Sequence, residues 1–201
     1  MRYETVGVTE SLLDSAEKEF LQYGFREASL RRISAASGVS TNSIYTRFND
    51  KEGLFGAVVR DAAEGLMEIY LDSIDKAGAS MDVEHAIEEG SEGTDVVLKY
   101  IYENENKFRL IFCKSAGTEY ESYFDRLAAI EESYYKIFAA KYAGDSHKVD
   151  DFFIHVYCRT GWQYMYEVLT HDKTYEEAKA YMDNVRAFNY AGWKALLGIQ
   201  E

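Results

Sequence analysis

Residues Gly24 to Leu54 read G-F-R-E-A-S-L-R-R-I-S-A-A-S-G-V-S-T-N-S-I-Y-T-R-F-N-D-K-E-G-L, and the first part of the fold is decided here. Two short apolar-phased segments are split by Gly38. Ser29 precedes the first, which turns Leu30, Ile33 and Ala36 inward; Ser40 precedes the second, which turns Ile44 and Phe48 inward. Serine is a favoured helix N-cap and glycine a favoured stop, so the spacing predicts two helices joined by a tight turn. Helices this short must cross steeply. Ser34 and Ser37 are small where they approach, and Val39 and Ile44 plug the angle between them. The pattern is a helix-turn-helix whose second helix stands proud of its support.

Outward from this motif the chain reads as helix throughout. Leu12, Leu13, Ala16, Phe20 and Leu21 form a helical stripe ended by Gly24. Asn49 to Glu52, N-D-K-E, reads as a cap opening a long helix through Leu54, Val58, Ala62, Leu66, Ile69 and Ile74 that Gly78 ends. Five further helices are expected at roughly 82–103, 105–115, 119–143, 147–171 and 175–198. T-E-Y-E at Thr118 and T-Y-E-E at Thr174 read as capping boxes. The weakest stretch is Glu88 to Gly93, where Val83, Ile87, Val97 and Ile101 keep helical phase but each glycine costs about 1 kcal/mol relative to alanine, so the sequence leaves open whether the helix breaks there. No strand alternation, repeat or low-complexity tract stands out. The fold class is therefore all-α: a helix-turn-helix domain over residues 1–53, then a second helical domain over 54–201.

Composition agrees. The 201 residues are 47% hydrophobic and 28% charged, a globular balance that excludes disordered and collagenous classes. There is no proline, which favours long helices and short loops. Residues 1–14 carry no apolar signal-peptide core and no window approaches a membrane span, so a soluble, cytoplasmic protein without a membrane partner is expected. Cys113 and Cys158 sit beside large apolar residues and read as two reduced core thiols. The net charge of -13 is unevenly placed: residues 26–60 hold six bases against three acids, while 61–201 hold 14 bases against 27 acids. A mildly basic head precedes a strongly acidic body.

The exposed side of the second short helix is expected to carry Thr41, Asn42, Ser43, Thr46 and Arg47, hydrogen-bonding groups that suit base edges in a major groove. Ser29, Arg31, the Tyr45 hydroxyl and Lys51 at the start of the fourth helix are placed to hold phosphates on either side, with the Tyr45 ring partly packed on the first helix. Asn42, Ser43 and Arg47 would specify sequence; the others would position the duplex.

Through these residues the chain resembles the TetR-type transcriptional regulators. The likeness lies in Ser29, Ile33, Gly38-Val39-Ser40, Ile44-Tyr45, Phe48 and Lys51 to Leu54. It departs at Ser34 and Ser37, where alanine is usual, at Ser29 for threonine, and at Asn42 for glycine. The last change alters the groove-facing surface. Outside residues 9–54 the likeness is one of helix count and size, plus F-N-Y-A-G-W at Phe188 to Trp193. The resemblance implies a homodimer on a palindromic double-stranded operator, a small-molecule effector bound between helices five to eight, and release when the fourth helix moves. A repressor is expected.

Residues 61–201 hold more aromatic side chains than one small core needs, so some should face a cavity or a partner. Candidate effector-pocket residues are Phe108, Phe112, Phe124, Tyr134 and Tyr164; an acid among such rings would favour a cationic or polar aromatic effector. Phe153, Tyr157, Gly161, Tyr164 and Val168 form one stripe, and Ala178, Tyr181, Val185, Phe188 and Gly192 another. Such stripes suit either a two-fold four-helix interface or an internal hairpin, and the resemblance points to the interface. The rival function is a helical interaction protein that uses the acidic aromatic body to hold another protein. His85, His147, His155 and His171 form no metal spacing, and there is no phosphate loop or nucleophile elbow, so neither an enzyme nor a metal or other cofactor is expected.

Overall fold

The computed structural model describes residues 6–144 and 148–199, with side chains from Val8 onward. Among these residues the chain forms nine α-helices and no strand: α1 Val6–Glu27, α2 Leu30–Ser37, α3 Thr41–Phe48, α4 Lys51–Ala79, α5 Val83–Glu103, α6 Glu105–Cys113, α7 Tyr123–Tyr142, α8 Asp151–Thr170 and α9 Tyr175–Leu197. None of them is long and apolar enough to cross a membrane.

The helices divide into two compact units. The first runs to Gly65 and returns for Asn104–Tyr123; the second is Leu66–Glu103 with Phe124 onward. The first unit passes the boundary expected at residue 53 because α4 continues into it and α6 packs on α1. Asn106 and Lys107 of α6 both bind the Glu17 carboxylate of α1. Leu12, Ala16 and Phe20 of α1 meet Ile33, Ile44, Leu54 and Phe55 in a core from which solvent is excluded. Phe20 and Phe25 each set an edge against Phe55, at 5.0 and 5.6 Å between centroids. Such pairs add about 0.5–1.5 kcal/mol each to the area they bury.

The second unit packs α5, α7, α8, α9 and the later turns of α4. Leu98, Ile101, Leu127, Ile154, Cys158, Trp162, Leu169 and Trp193 form its core. The Tyr135 ring stacks on Trp193 at 5.0 Å, and Tyr157 meets the same indole edge-on at 5.3 Å. Thr174 opens α9 with the capping box its sequence announces. Asp150 caps α8, accepting from the N–H groups of Phe152 and Phe153.

Several local expectations are corrected. Asp50, not Asn49, starts α4: its Oδ1 accepts the Gly53 N–H at 2.7 Å, while Asn49 ends α3 at φ 70°. Glu52 accepts the Glu119 N–H at 3.0 Å instead of turning back on a cap. T-E-Y-E at Thr118 closes turns rather than a helix. Thr118 Oγ1 donates to the Ser115 carbonyl and accepts from the Tyr120 N–H, so α7 waits until Tyr123. A hydroxyl that bonds its own neighbourhood competes with helix entry, and sequence spacing cannot say which wins. Ala36 is exposed rather than inward. Cys113 is exposed and Cys158 alone is a core thiol; both are free.

α5 runs unbroken through Gly90 and Gly93. A Cβ on Gly93 would stand 2.8 Å from the Ser73 Cβ of α4, so the glycine permits a close helix crossing, while a Cβ on Gly90 would meet nothing within 4 Å. One substitution at two sites on one helix should therefore act with opposite signs. In thermal or urea unfolding, Gly90→Ala is expected to stabilise by up to about 1 kcal/mol, and Gly93→Ala to destabilise by about 1–2 kcal/mol through overpacking.

Candidate functional site

The head is organised around a buried acid. Glu19 of α1 is 8% exposed, and its Oε1 accepts the Ser29 N–H at 2.8 Å and the Arg32 Nε–H at 2.7 Å. Arg32 also donates to the Glu27 carbonyl and lies 4.2 Å over the Tyr23 ring. An anion at a helix N-terminus satisfies an otherwise orphaned donor and the helix dipole together. Glu19 therefore caps α2 from another helix, and the Ser29 hydroxyl makes no cap bond.

α2 ends as its sequence announces, with Gly38 left-handed at φ 72° and its N–H on the Ser34 carbonyl. Val39 and Ile44 are buried in the elbow. Ser40 caps α3 by accepting the Ser43 N–H, and the two hydroxyls lie 3.0 Å apart. Asn42, Tyr45, Thr46 and Arg47 form the exposed face, Tyr45 at 53%, while Thr41 and Ser43 are half-buried. The expected face thus gains Tyr45 and withdraws Thr41 and Ser43. Thr46 Oγ1 donates to the Asn42 carbonyl, and Arg47 donates to Thr9 Oγ1 of α1 at 3.0 Å. Arg31 is exposed on α2.

Lys51 sits elsewhere than on an open surface. Its Nζ donates to the carbonyls of Arg26 at 2.9 Å and Ala28 at 3.1 Å and lies 4.8 Å over the Phe25 ring. It closes the C-terminal carbonyls of α1, where a cation is favoured. Beside it, a Cβ on Gly53 would fall 1.9 Å from the Phe48 carbonyl oxygen, so no larger residue fits the turn between α3 and α4.

The second unit holds a half-open chamber of about 130 Å³ between α4, α5, α7, α8 and α9. Glu131 of α7 reaches into it with a buried Oε2 that has no hydrogen-bond partner; the Tyr70 hydroxyl and the Trp162 Nε1 share that state. Tyr70 and Trp162 pack edge to face at 5.0 Å. Burial pushes the Glu131 carboxyl up to about 8, an effect the neighbouring indole moderates without forming a full hydrogen bond. Burial also pushes the Tyr134 and Tyr157 phenols up to about 12. The glycine at 161 leaves the acid room: a Cβ there would stand 3.7 Å from its Oε2.

Of the expected pocket residues, Tyr134 and Tyr164 line this chamber. Phe124 lies behind it, 6.3 Å from Trp162, and Phe108 and Phe112 are on α6 in the first unit. The stripe on α8 is turned inward: Tyr157, Gly161 and Tyr164 line the chamber, Val168 is core, and only Phe153 is exposed. On α9, Tyr181, Phe188 and Gly192 face out while Val185 faces the chamber. An apolar stripe marks a buried helix face without saying what buries it, so internal and intermolecular packing read alike. Phe152 at 72%, Val156 and Phe188 at 75% are among the apolar residues that α8 and α9 leave exposed.

Glu19, Glu131, Tyr70 and Trp162 were not legible as site residues. The signal for both acids lay in helical phase, since Glu19 follows Ala16 by three and Glu131 follows Leu127 by four, each on an apolar stripe. His85, His155 and His171 pair with Asp82, Glu132 and Glu167, and His147 lies outside the described residues. No metal-holding group of three His, Cys, Asp or Glu occurs among the described residues.

Glu19→Ala strands the Ser29 N–H and Arg32, and is expected to lower unfolding free energy by about 1–3 kcal/mol. Glu19→Gln should cost less, since its amide oxygen still accepts. Thermal melts of both variants beside Lys51→Ala, expected to cost about 1 kcal/mol, check whether this point holds the head together.

Comparison with known proteins bears on the head and on the fold separately. Residues 12–58 match the family described as bacterial regulatory proteins, tetR family. An HTH-type transcriptional repressor of Mycobacterium tuberculosis is 36% identical over 58 residues, 29% of this chain and 31% of that protein. The HTH-type transcriptional repressor AcnR of Corynebacterium glutamicum is 35% identical over 60 residues, 30% and 32% of the two chains. The match thus spans about a third of the length of these relatives. Among solved structures, a proposed TetR-family regulator of Syntrophomonas wolfei aligns over 98% of both chains with a TM-score of 0.64 at 17% identity. The fatty acid degradation regulator FadR of Bacillus halodurans covers 96% of this chain and 100% of its own with a TM-score of 0.57 at 15% identity. At such identities these two share the fold.

Proposed function

We propose, from the premise that this chain belongs by its head to the tetR family of bacterial regulatory proteins, that it is a ligand-responsive transcriptional repressor. It binds a palindromic operator as a homodimer in the cytoplasm and leaves it when a small molecule fills the second unit.

The observation that carries this proposal is the exposed face of α3. Asn42, Tyr45, Thr46 and Arg47 project from an eight-residue helix whose opposite face is locked by the buried Ile44. A major groove admits such a helix, and an amide with a guanidinium can each make bidentate contacts to base edges. Ser29, with its hydroxyl uncommitted to the cap, Arg31 and Tyr45 are placed for phosphates. A face built only for structure would not present these groups together, which disfavours the interaction-protein alternative. Nor does a similarity to repressors suggest an enzyme.

Support for ligand response is the chamber. α4 is one helix from Lys51 to Ala79; its first residue closes the end of α1, and Tyr70, Ser73 and Ile74 line the chamber. An effector that favours one setting of this helix would change how the head presents α3. It need only bind the DNA-incompetent arrangement better than the competent one. The open apolar residues of α8 and α9 suit the homodimer contact.

Selection of bound duplexes from a random pool at two salt concentrations tests this function. A palindrome whose half-sites lie about one helical turn apart is expected; absence of any enriched duplex at low salt would overturn it. Tyr45→Ala should weaken binding to all duplexes alike. Arg47→Ala and Asn42→Ala should relax base preference by about 1–3 kcal/mol per lost contact.

A further inference from the structure

The chamber holds a charge-bearing group that the fold itself leaves unanswered. Glu131 stands in the apolar phase of α7, between Leu127 and Phe138, yet its Oε2 is buried and accepts no hydrogen bond. The Tyr70 hydroxyl of α4 and the Trp162 indole N–H of α8 are buried beside it without partners. Native interiors leave few polar groups in this state, and three at one cavity mark a site completed by something else. Arg186, the cation that lines the chamber, is engaged by Asp95 at 2.6 Å and by Asp183, and so is not available to the acid.

Taking the second unit as the effector domain, we propose that the effector is a small organic cation, an ammonium on an aromatic or branched apolar body. Its charge sits at Glu131 and its body lies among Tyr134, Tyr135, Tyr157 and Trp162. Rings carry negative faces that attract an ammonium, most strongly away from water. A neutral ligand of the same shape brings no charge to offset the carboxylate once it ionises, and an anion would be repelled by that ionised form. Size agrees: the chamber of about 130 Å³ is close to the roughly 150 Å³ of apolar cavity that takes a benzene ring. A wider vestibule of about 720 Å³ adjoins it, sharing Tyr134, Tyr135, Tyr157 and Arg186, so a longer body has somewhere to extend.

Protonation sharpens the discrimination. With its carboxyl pushed up to about 8 by burial, the empty site is largely uncharged at neutral pH. A bound cation draws that proton off, so affinity rises as pH rises towards 8 and levels above it. The groups facing Glu131 stay neutral over this range, because burial holds Tyr70 on α4, Tyr134 and Tyr135 on α7, and Tyr157 and Cys158 on α8 above their ordinary values. Arg186 on α9 stays charged and paired with Asp95 of α5.

The test is calorimetry of the full chain with three probes of one shape: phenethylamine, phenethyl alcohol and phenylacetate. At pH 8 the amine should bind at least about tenfold more tightly than the alcohol, a difference of about 1.4 kcal/mol. Its affinity should climb between pH 6 and pH 8 with proton release. Glu131→Gln should bring the amine down to the alcohol and flatten the pH dependence; should that variant not fold, Glu131→Asp, which retracts the charge, should weaken the amine more than the alcohol. The proposal falls if the alcohol or phenylacetate binds as well as the amine, if none of the probes binds, or if the preference survives at position 131 without its carboxylate. A chain that selects a duplex but ignores the amine overturns this proposal and leaves the regulator standing; one that binds the amine and selects no duplex does the reverse.

Discussion

One carboxylate oxygen determines where the helix-turn-helix begins. Glu19 Oε1 accepts the first N–H of the α2 entry and the Arg32 side chain together. Helices of eight residues cannot persist alone, since nucleation is unfavourable and few bonds follow it. Their positions must come from what they are fastened to. Glu19 fastens α2 to α1, and the buried Ile33, Val39 and Ile44 then leave α3 one way to lie. Lys51 closes the same junction from the other side by holding the carbonyls of Arg26 and Ala28, and the bare Cα of Gly53 lets α4 start against the end of α3. The exposed face of α3 is a consequence of these fastenings.

The chain buries two acids on apolar stripes and treats them differently. Glu19 has a helix N-terminus and a guanidinium, and one of its oxygens accepts from both. Glu131 has aromatic rings, an indole that falls short of a full bond, and an oxygen with no partner. Partnered, a buried acid is a fastening. Left open beside a cavity, it is a demand for a ligand that brings the missing donor and charge. The same residue type in the same helical phase therefore fastens the scaffold in one unit and leaves an unpartnered acceptor at a cavity in the other.

Where sequence reading succeeded, the determinant was local. Gly38 as a left-handed stop, Ser40 as a cap and Thr174 with Glu177 as a capping box are set by a few neighbouring residues. Where it failed, a distant group had intervened. Glu52 turned from an expected cap to the Glu119 N–H, and Thr118 closed a turn over Ser115. The stripe on α8 suits an interface or an internal hairpin equally by its period, and in the fold Tyr157, Gly161 and Tyr164 of it line the chamber.

The order of residues alone was enough for the helical class, the limits of most helices to within a few residues and the helix-turn-helix motif of the head, because hydrophobic period and capping chemistry act over single turns of chain. Tertiary structure decided which polar groups are buried, which are answered and which are left facing a cavity. Those states depend on residues far apart in sequence: Glu19 with Ser29, Lys51 with Arg26, Glu131 with Tyr70 and Trp162. A carboxylate on an apolar stripe is one letter in one phase, and only the side chains brought against it by other helices make it an anchor or an open site.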